Sequence, residues 1–418
     1  MVAVVVAGAL VTSCDSGTRS DRSTATTSAT SPAAVSAPDS ADSAAAPSAP
    51  AGWRAMAPTP LAGRVEPAVV WTGEELLVVG GTRDDVAEPG QPAEALTSDG
   101  RALAVTRFVD GAAYDPATDT WRPIAAAPGT GLSNDAVWTG ERVLVRGTTS
   151  EATNAPPDAA IFSYDPASDG WEVYPAPDGA GDTLDVTMTW TGTELIFWGH
   201  PYRRYTEPPL AAGLDPATGT WRDLPAASLP AGMGPAAAWD GDEVVVAAGM
   251  PMSVGPEGAP TPTAAFDPAA DTWRSLPPAP TEVPGMQPDL LPIGDGLLLA
   301  GGTFAQDRST AALAFDLDTE RWSPAGQMDG DPRYGEQRVW TGRELIEVGG
   351  VDATTVRASV GALDPDTGLA RSLPDLPEPR ASAGAAWTGS ELLVWGGQPD
   401  VDGIGTALAT GVRLALDS

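Results

Sequence analysis

The stretch "VWTGEELLVVGG", Val70 to Gly81, recurs along the whole chain. "AVWTGERVLVRG" begins at Ala136, "TWTGTELIFWG" at Thr189, "AWDGDEVVVAAG" at Ala238, "VWTGRELIEVGG" at Val339 and "AWTGSELLVWGG" at Ala386. A degenerate seventh copy, "PIGDGLLLAGG", starts at Pro292. Each copy reads as a β-hairpin. A strand a ends at the tryptophan, and the Thr-Gly pair makes a tight turn because glycine accepts positive φ. A strand b follows, as in Leu76 to Val79; its unbroken apolar run is that of a strand covered on both faces.

A second element alternates with the first. It reads "AYDPATDTWRPI" at Ala113, "SYDPASDGWEVY" at Ser163, "GLDPATGTWRDL" at Gly213, "AFDPAADTWRSL" at Ala265, "AFDLDTERWSPA" at Ala314 and "ALDPDTGLARSL" at Ala362. Its aspartates, Asp115, Asp165, Asp215, Asp267, Asp316 and Asp364, are 50, 50, 52, 49 and 48 residues apart. A short strand c ends at the aspartate, Asp-Pro-Ala-Thr supplies turn chemistry, and strand d starts at the tryptophan. A repeat of this period with four antiparallel strands per unit predicts an all-β fold, a β-propeller. Seven a–b hairpins but six complete c–d hairpins predict seven blades. "ALDS" at Ala415 matches "ALDP" at Ala362, so Asp417 offers a seventh strand-c aspartate; "GWRAMAPTP" at Gly52 matches "TWRPIAAAP" at Thr120. The last blade is therefore expected to be closed by the N-terminal strand, which leaves no open edge. All fourteen tryptophans fall in these elements and read as packing residues.

The Gly-Gly doublet after an apolar strand, followed by Tyr/Phe-Asp-Pro and then tryptophan, resembles the kelch repeat. The resemblance covers Gly52 to Ser418 and implies a galactose oxidase central-domain-like propeller. A weaker likeness links "DPATGTW" to quinone-dependent dehydrogenase propellers. The oxidase chemistry of the kelch relatives needs two histidines and a cysteine crosslinked to tyrosine. This chain has one histidine, His200, and one cysteine, Cys14, outside the repeats. That activity is excluded, as are a Cys/His zinc site and any intramolecular disulfide. Propellers host many activities, so the fold alone names none.

The chain's 418 residues divide into three segments. Residues 1–14 hold a ten-residue apolar run, Val2 to Val11, too short to span a bilayer, and then Val11-Thr12-Ser13-Cys14. This resembles a bacterial lipobox, in which Cys14 is lipidated; the alternative is a plain secretion signal cut nearby. Residues 15–51 are rich in Ser, Ala, Pro and Thr and are expected to be a disordered tether. Residues 52–418 form the propeller. The net charge is −33 and all 23 basic residues are arginine, a balance that argues against nucleic acid and against direct contact with anionic lipid. The expectation is an extracytoplasmic monomer, held to the membrane only by its lipid.

The a–b and c–d turns fall on one face of such a ring, and the variable b–c and d–a connections on the other. Variable loops on a rigid scaffold are where binding concentrates. In one of them, "HPYRRYTEPP", the sole histidine His200 stands with Tyr202, Arg203, Arg204 and Tyr205, residue types that anchor interfaces; a solvated loop with its tyrosines packed on the blade is the bland alternative. Two charges break apolar columns: Arg146 stands where other copies have Val79, Trp198 or Ala247, and Glu347 where they have Val78, Val145 or Phe197. Each must find a partner or water. The upstream ends of strand a carry Glu66, Asp135, Asp185, Asp289 and Glu336, with Arg338 among them. A ring of these carboxylates at the channel mouth would suit Ca²⁺ or, equally, a hydrated rim, and no metal or cofactor is assigned. The functional expectation is a non-catalytic module that binds a protein or an envelope glycan. The alternative is an envelope hydrolase or lyase that uses rim carboxylates.

Overall fold

A computed structural model describes residues 52–87, 95–96, 101–150, 158–177, 183–201, 209–230, 232–251, 260–280, 288–301, 303–304, 307–308, 310–352, 354–401 and 403–416. Cys14, the 15–51 segment and Asp417 lie outside the described residues. Seven four-stranded antiparallel sheets form a seven-bladed β-propeller. Blade 1 joins Ala68–Trp71, Leu76–Val79, Gly111–Asp115 and Thr120–Ile124 as strands a to d. Strands a of blades 2 to 6 are Gly131–Trp138, Thr183–Trp190, Ala236–Trp239, Asp289–Ile293 and Gln337–Trp340. Blade 7 holds Gly384–Trp387, Glu391–Trp395 and Gly411–Ala415. Its strand d is the N-terminal Trp53–Ala55, with Trp53 opposite Leu414 and Ala55 opposite Val412, so the ring closes as the repeat arithmetic requires.

Strand b shows why the ring must close. Leu76, Leu77, Val78 and Val79 are all at most 1% exposed. Leu76 and Val78 pack with Leu393 and Trp395 of blade 7, and Leu77 and Val79 with Val143, Val145 and Phe162 of blade 2. Alternation along the strand thus sends successive side chains into opposite neighbours.

The turn face is built from one repeated scheme. In the a–b turns Gly73 takes φ 100°, and the Thr72 hydroxyl accepts from the Glu75 amide at 3.0 Å. Thr139, Thr191, Thr341 and Thr388 do the same in other blades, and Asp240 replaces the hydroxyl in blade 4. In the c–d turns Asp115 accepts from the Ala117 amide at 2.8 Å, with Asp165, Asp215 and Asp267 equivalent. Hydroxyl donors from Thr118, Ser168 and Thr218, and then these backbone amides, hold Asp115, Asp165 and Asp215 below the usual carboxylate range.

The strand-d tryptophans do more than pack. The Trp53, Trp121, Trp171, Trp273 and Trp322 indoles donate to the carbonyls of Pro374, Ala57, Ala125, Pro225 and Pro277, each in the preceding blade. Trp221 of blade 3 makes no such bond. Tyr174 of blade 2 stands where other copies have Ile124 or Leu224, and its hydroxyl, shared with Glu172 Oε2 of its own blade at 2.6 Å, lies 2.9 Å from the Pro216 carbonyl of blade 3, so the polar contact there runs in the opposite direction.

A second scheme crosses every blade but the fifth, from the start of strand b to strand d. Arg122 grips Glu75 through two hydrogen bonds of 3.0 and 2.6 Å, and Arg222–Glu194, Arg274–Glu243 and Arg371–Glu344 repeat the pair. Blade 2 inverts it: Arg142 occupies the glutamate's place and Glu172 the arginine's, 3.2 Å apart. Exposed pairs of this kind are worth about 0.2–1 kcal/mol. Arg142→Glu and Glu172→Arg are each expected to lower stability by up to about 1 kcal/mol, and the double exchange to recover most of it. Urea unfolding of the four proteins measures this, and simple additivity of the two losses would contradict the pairing.

Candidate functional site

The loop face departs from this regularity. Residues 82–110, expected as a loop, instead carry a three-stranded sheet of Thr82–Val86, Ala102–Arg107 and Ala95–Leu96 that projects from blade 1. Two-stranded ribbons pair Gly232–Met233 with Met250–Pro251 and Thr303–Phe304 with Asp307–Arg308. The blade 1 sheet leans on the blade 7 b–c loop, where the Gly405 amide donates to the Asp84 carbonyl at 2.8 Å. Between them lies a groove lined by Arg101, Asp400, Val401, Gly403, Ile404 and Thr406.

The rim carboxylates whose side chains are described form two clusters rather than a ring. At blades 1 and 2, strand a of blade 2 starts early and its pairing with strand b shifts between Val145 and Gly147. Arg146 sits in this irregularity and donates to Asp135 Oδ2 from Nε at 3.0 Å and Nη2 at 2.6 Å. Glu66, held at φ 51° in the d–a loop of blade 1, belongs to the same neighbourhood. Burial first, then the like charges of Asp84 and Asp135, push its carboxyl above the ordinary range.

The second cluster lies at blades 5 and 6. Arg338 stands directly opposite Glu347 on neighbouring strands, with Nε 3.4 Å from Glu347 Oε2. Its other nitrogens reach Asp289 Oδ2 of blade 5 at 2.9 Å and Glu336 Oε1. Arg333 adds a contact to Glu347 at 3.6 Å. Glu336 Oε2 is buried without a hydrogen-bond partner, and desolvation raises its pKa against the pull of Arg338. Both column-breaking charges, Arg146 and Glu347, are therefore engaged by opposite charges on strand a. Arg338 occupies the centre of its three carboxylates, the place a metal ion would need. Among the described residues no three His, Cys, Asp or Glu side chains group as metal ligands.

Asp185 and His200 are direct cross-strand partners in blade 3. Their side chains, and all of Tyr202, Arg203, Arg204 and Tyr205, lie outside the described residues.

Three arginines, Arg64 and Arg380 buried and Arg333 nearly so, escaped the sequence reading. Arg333, Arg380 and Arg64 each stand seven residues before a strand-a tryptophan, in three consecutive blades. Arg64 donates to the Gly80 carbonyl at 2.9 Å and to Asp110 Oδ1 at 2.7 Å, with its guanidinium over the Phe108 ring at 4.0 Å. Arg380 donates to the Gly396 and Thr410 carbonyls, both at 2.8 Å, and Arg333 to Gly349 at 2.8 Å. Burial lowers the Arg380 pKa to about 10. Each arginine ties the end of strand b, at the first glycine of the doublet, to the start of strand c. The offset from tryptophan was the available signal, but the intervening residues differ.

No known protein-family model matches the chain, and no curated protein matches its sequence.

The Glu336 shift has a sign that can be tested. A carboxyl whose pKa is raised on folding contributes stability below its unfolded value, and that stability is lost as pH rises through the folded value. Glu336→Gln does not titrate, so its stability relative to wild type is expected to be lowest near roughly pH 4 and to rise toward neutrality. Denaturant unfolding at both pH values measures the difference; a pH-independent difference would contradict the assignment.

Proposed function

We propose that this protein is a non-catalytic binding propeller of kelch-like type that takes a protein or envelope glycan on its loop face. One observation carries the reading. Among the described residues four large apolar side chains are exposed, and three of them, Val86, Tyr334 and Val401, lie on that face. They belong to the blade 1 sheet, the d–a loop before blade 6 and the b–c loop of blade 7, on three consecutive blades. Exposed apolar groups on one face, rimmed by charge, are the usual mark of an interaction surface. The turn face, by contrast, has its polar groups engaged in a repeated hydrogen-bond scheme.

The rival reading, a carboxylate-based hydrolase or lyase, has less support. Asp135 and Asp289 are each held by an arginine, and Glu336 is enclosed.

The proposal includes export and lipidation at Cys14, with residues 15–51 as tether. Topology favours it: Trp53–Ala55 is the outermost strand of blade 7 and begins at the turn face. An anchor attached there leaves the loop face directed outward. Cys14→Ser is expected to move the protein from the membrane fraction to the soluble one.

The binding test is affinity capture from the organism's own envelope proteins and glycans on immobilised Gly52–Ser418. Three variant columns accompany it: Val86, Tyr334 and Val401 changed to Ser; His200, Tyr202, Arg203, Arg204 and Tyr205 changed to Ser; and Leu369→Ser on the turn face. A partner lost by either loop-face variant and kept by Leu369→Ser is the expected result. Capture of nothing by the native propeller would overturn the reading.

A further inference from the structure

The seven junctions between blades are not equivalent. At six of them the inner strands of consecutive blades lie closely against each other; at the junction of blades 5 and 6, Asp289–Ile293 and Gln337–Trp340 touch only marginally. The same junction lacks the tryptophan staple, although strand d of blade 5 lies closer to strands c and d of blade 6 than the described outer strands do at the other junctions. Blade 6 has Ala370 where every other strand d carries a tryptophan, and, like blade 3 with Gly219, a glycine, Gly368, where Asp119 and Asp169 accept the Ala57 and Ala125 amides of the preceding blade. The cross-blade pair is missing from blade 5, where Gly296 and Ser323 hold the positions of Glu75 and Arg122. The apolar cluster between the two blades has buried leucine, alanine and methionine but no buried aromatic ring.

One side chain spans the inner gap. Arg338 leaves blade 6, lies over Gly301 at the end of strand b in blade 5, and reaches Asp289 at 2.9 Å. Gly301 leaves room for this path, since a Cβ at that position would overlap the guanidinium and force it to shift. Arg338 is 7% exposed, and its two partners in blade 6, Glu336 and Glu347, are 5% and 6% exposed. Asp289, the partner in blade 5, is 45% exposed. The arginine is thus fixed firmly to its own blade, and its grip on the neighbour is the solvent-facing half of the network. On the outer side, strand d of blade 5, Arg321–Gln327, touches blade 6 through the close approach of Gly326 to Gly368.

We propose that the junction of blades 5 and 6 is the seam at which the ring parts first, and that Arg338 is its latch. Opening there separates two inner strands at the channel mouth while the stapled junctions stay closed. A propeller with one weak junction has a sub-global opening of lower free energy than global unfolding.

Hydrogen exchange of the full chain, followed by mass spectrometry, tests this. In the wild type, amides of Asp289–Ile293 and Gln337–Trp340 are expected to exchange faster than those of the inner strands elsewhere. Arg338→Met is expected to accelerate exchange at these two strands more than about tenfold, with the inner strands of blades 1, 2 and 7 unchanged. If Arg338→Met does not fold, Asp289→Ala removes the inter-blade contact alone, and a smaller acceleration confined to the same strands is expected. Equal exchange at all junctions in the wild type, or acceleration spread over the whole ring, would overturn the proposal.

Discussion

A four-stranded sheet of this size has two apolar faces and no means of covering either. Strand b makes the constraint plain, since Leu76 to Val79 alternate between two neighbouring blades and are excluded from water by both. Each blade is therefore stable only between two others, and the requirement propagates until the ring closes on itself. Closure falls to Trp53–Ala55, whose pairing with Val412–Leu414 joins the two ends of the repeat array. The register of one three-residue strand governs whether the first and last blades have a partner.

Burial makes the ring, and polar contacts on the turn face hold its geometry. An indole N–H that reaches the carbonyl of the preceding blade ties two sheets at a fixed spacing, each bond contributing about 0.5–1.5 kcal/mol. The αL residues of the c–d turns add to this. Asp119 at φ 52° accepts both the Ala57 amide and the Tyr114 hydroxyl, and Asp169 repeats the arrangement with Ala125 and Tyr164. In blades 2 and 3 a missing part is replaced: Tyr174 stands in for the Trp221 staple, and the exchanged Arg142–Glu172 pair for Glu75–Arg122. Such compensation inside one chain marks these contacts as structural.

The loop face follows different physics. Its connections need not match one another, because no neighbouring blade depends on their shape. Blade 1 uses this freedom for a separate sheet, and the inner rim uses it to place charge. The rim charges lie where burial is incomplete, so each cluster mixes an enclosed carboxyl, Glu66 or Glu336, with a more open one, Asp135 or Asp289. Burial first, and neighbouring like charge second, raises the pKa of the enclosed carboxyls, while the arginines hold the more open ones.

The architecture was legible in the amino-acid sequence. Seven hairpins of "WTG" type, the spaced aspartates and the split seventh blade determined blade number, strand order and closure, because local turn chemistry and an apolar period repeat in every copy. The same logic located the column-breaking Arg146 and Glu347 and required that each find a partner. It did not give their partners, since Asp135 reaches Arg146 through a register shift and Asp289 reaches Arg338 across a blade boundary. Nor did it reveal Arg64, Arg333 and Arg380, which share backbone-carbonyl acceptors at the end of strand b and so leave little pattern in side chains. The sequence by itself determined the repeating unit and its count; only the tertiary structure decided which charges meet, which exposed side chains share a face and how the junctions between blades differ. Those depend on distances between blades, and inter-blade distance is set by packing that no single repeat encodes.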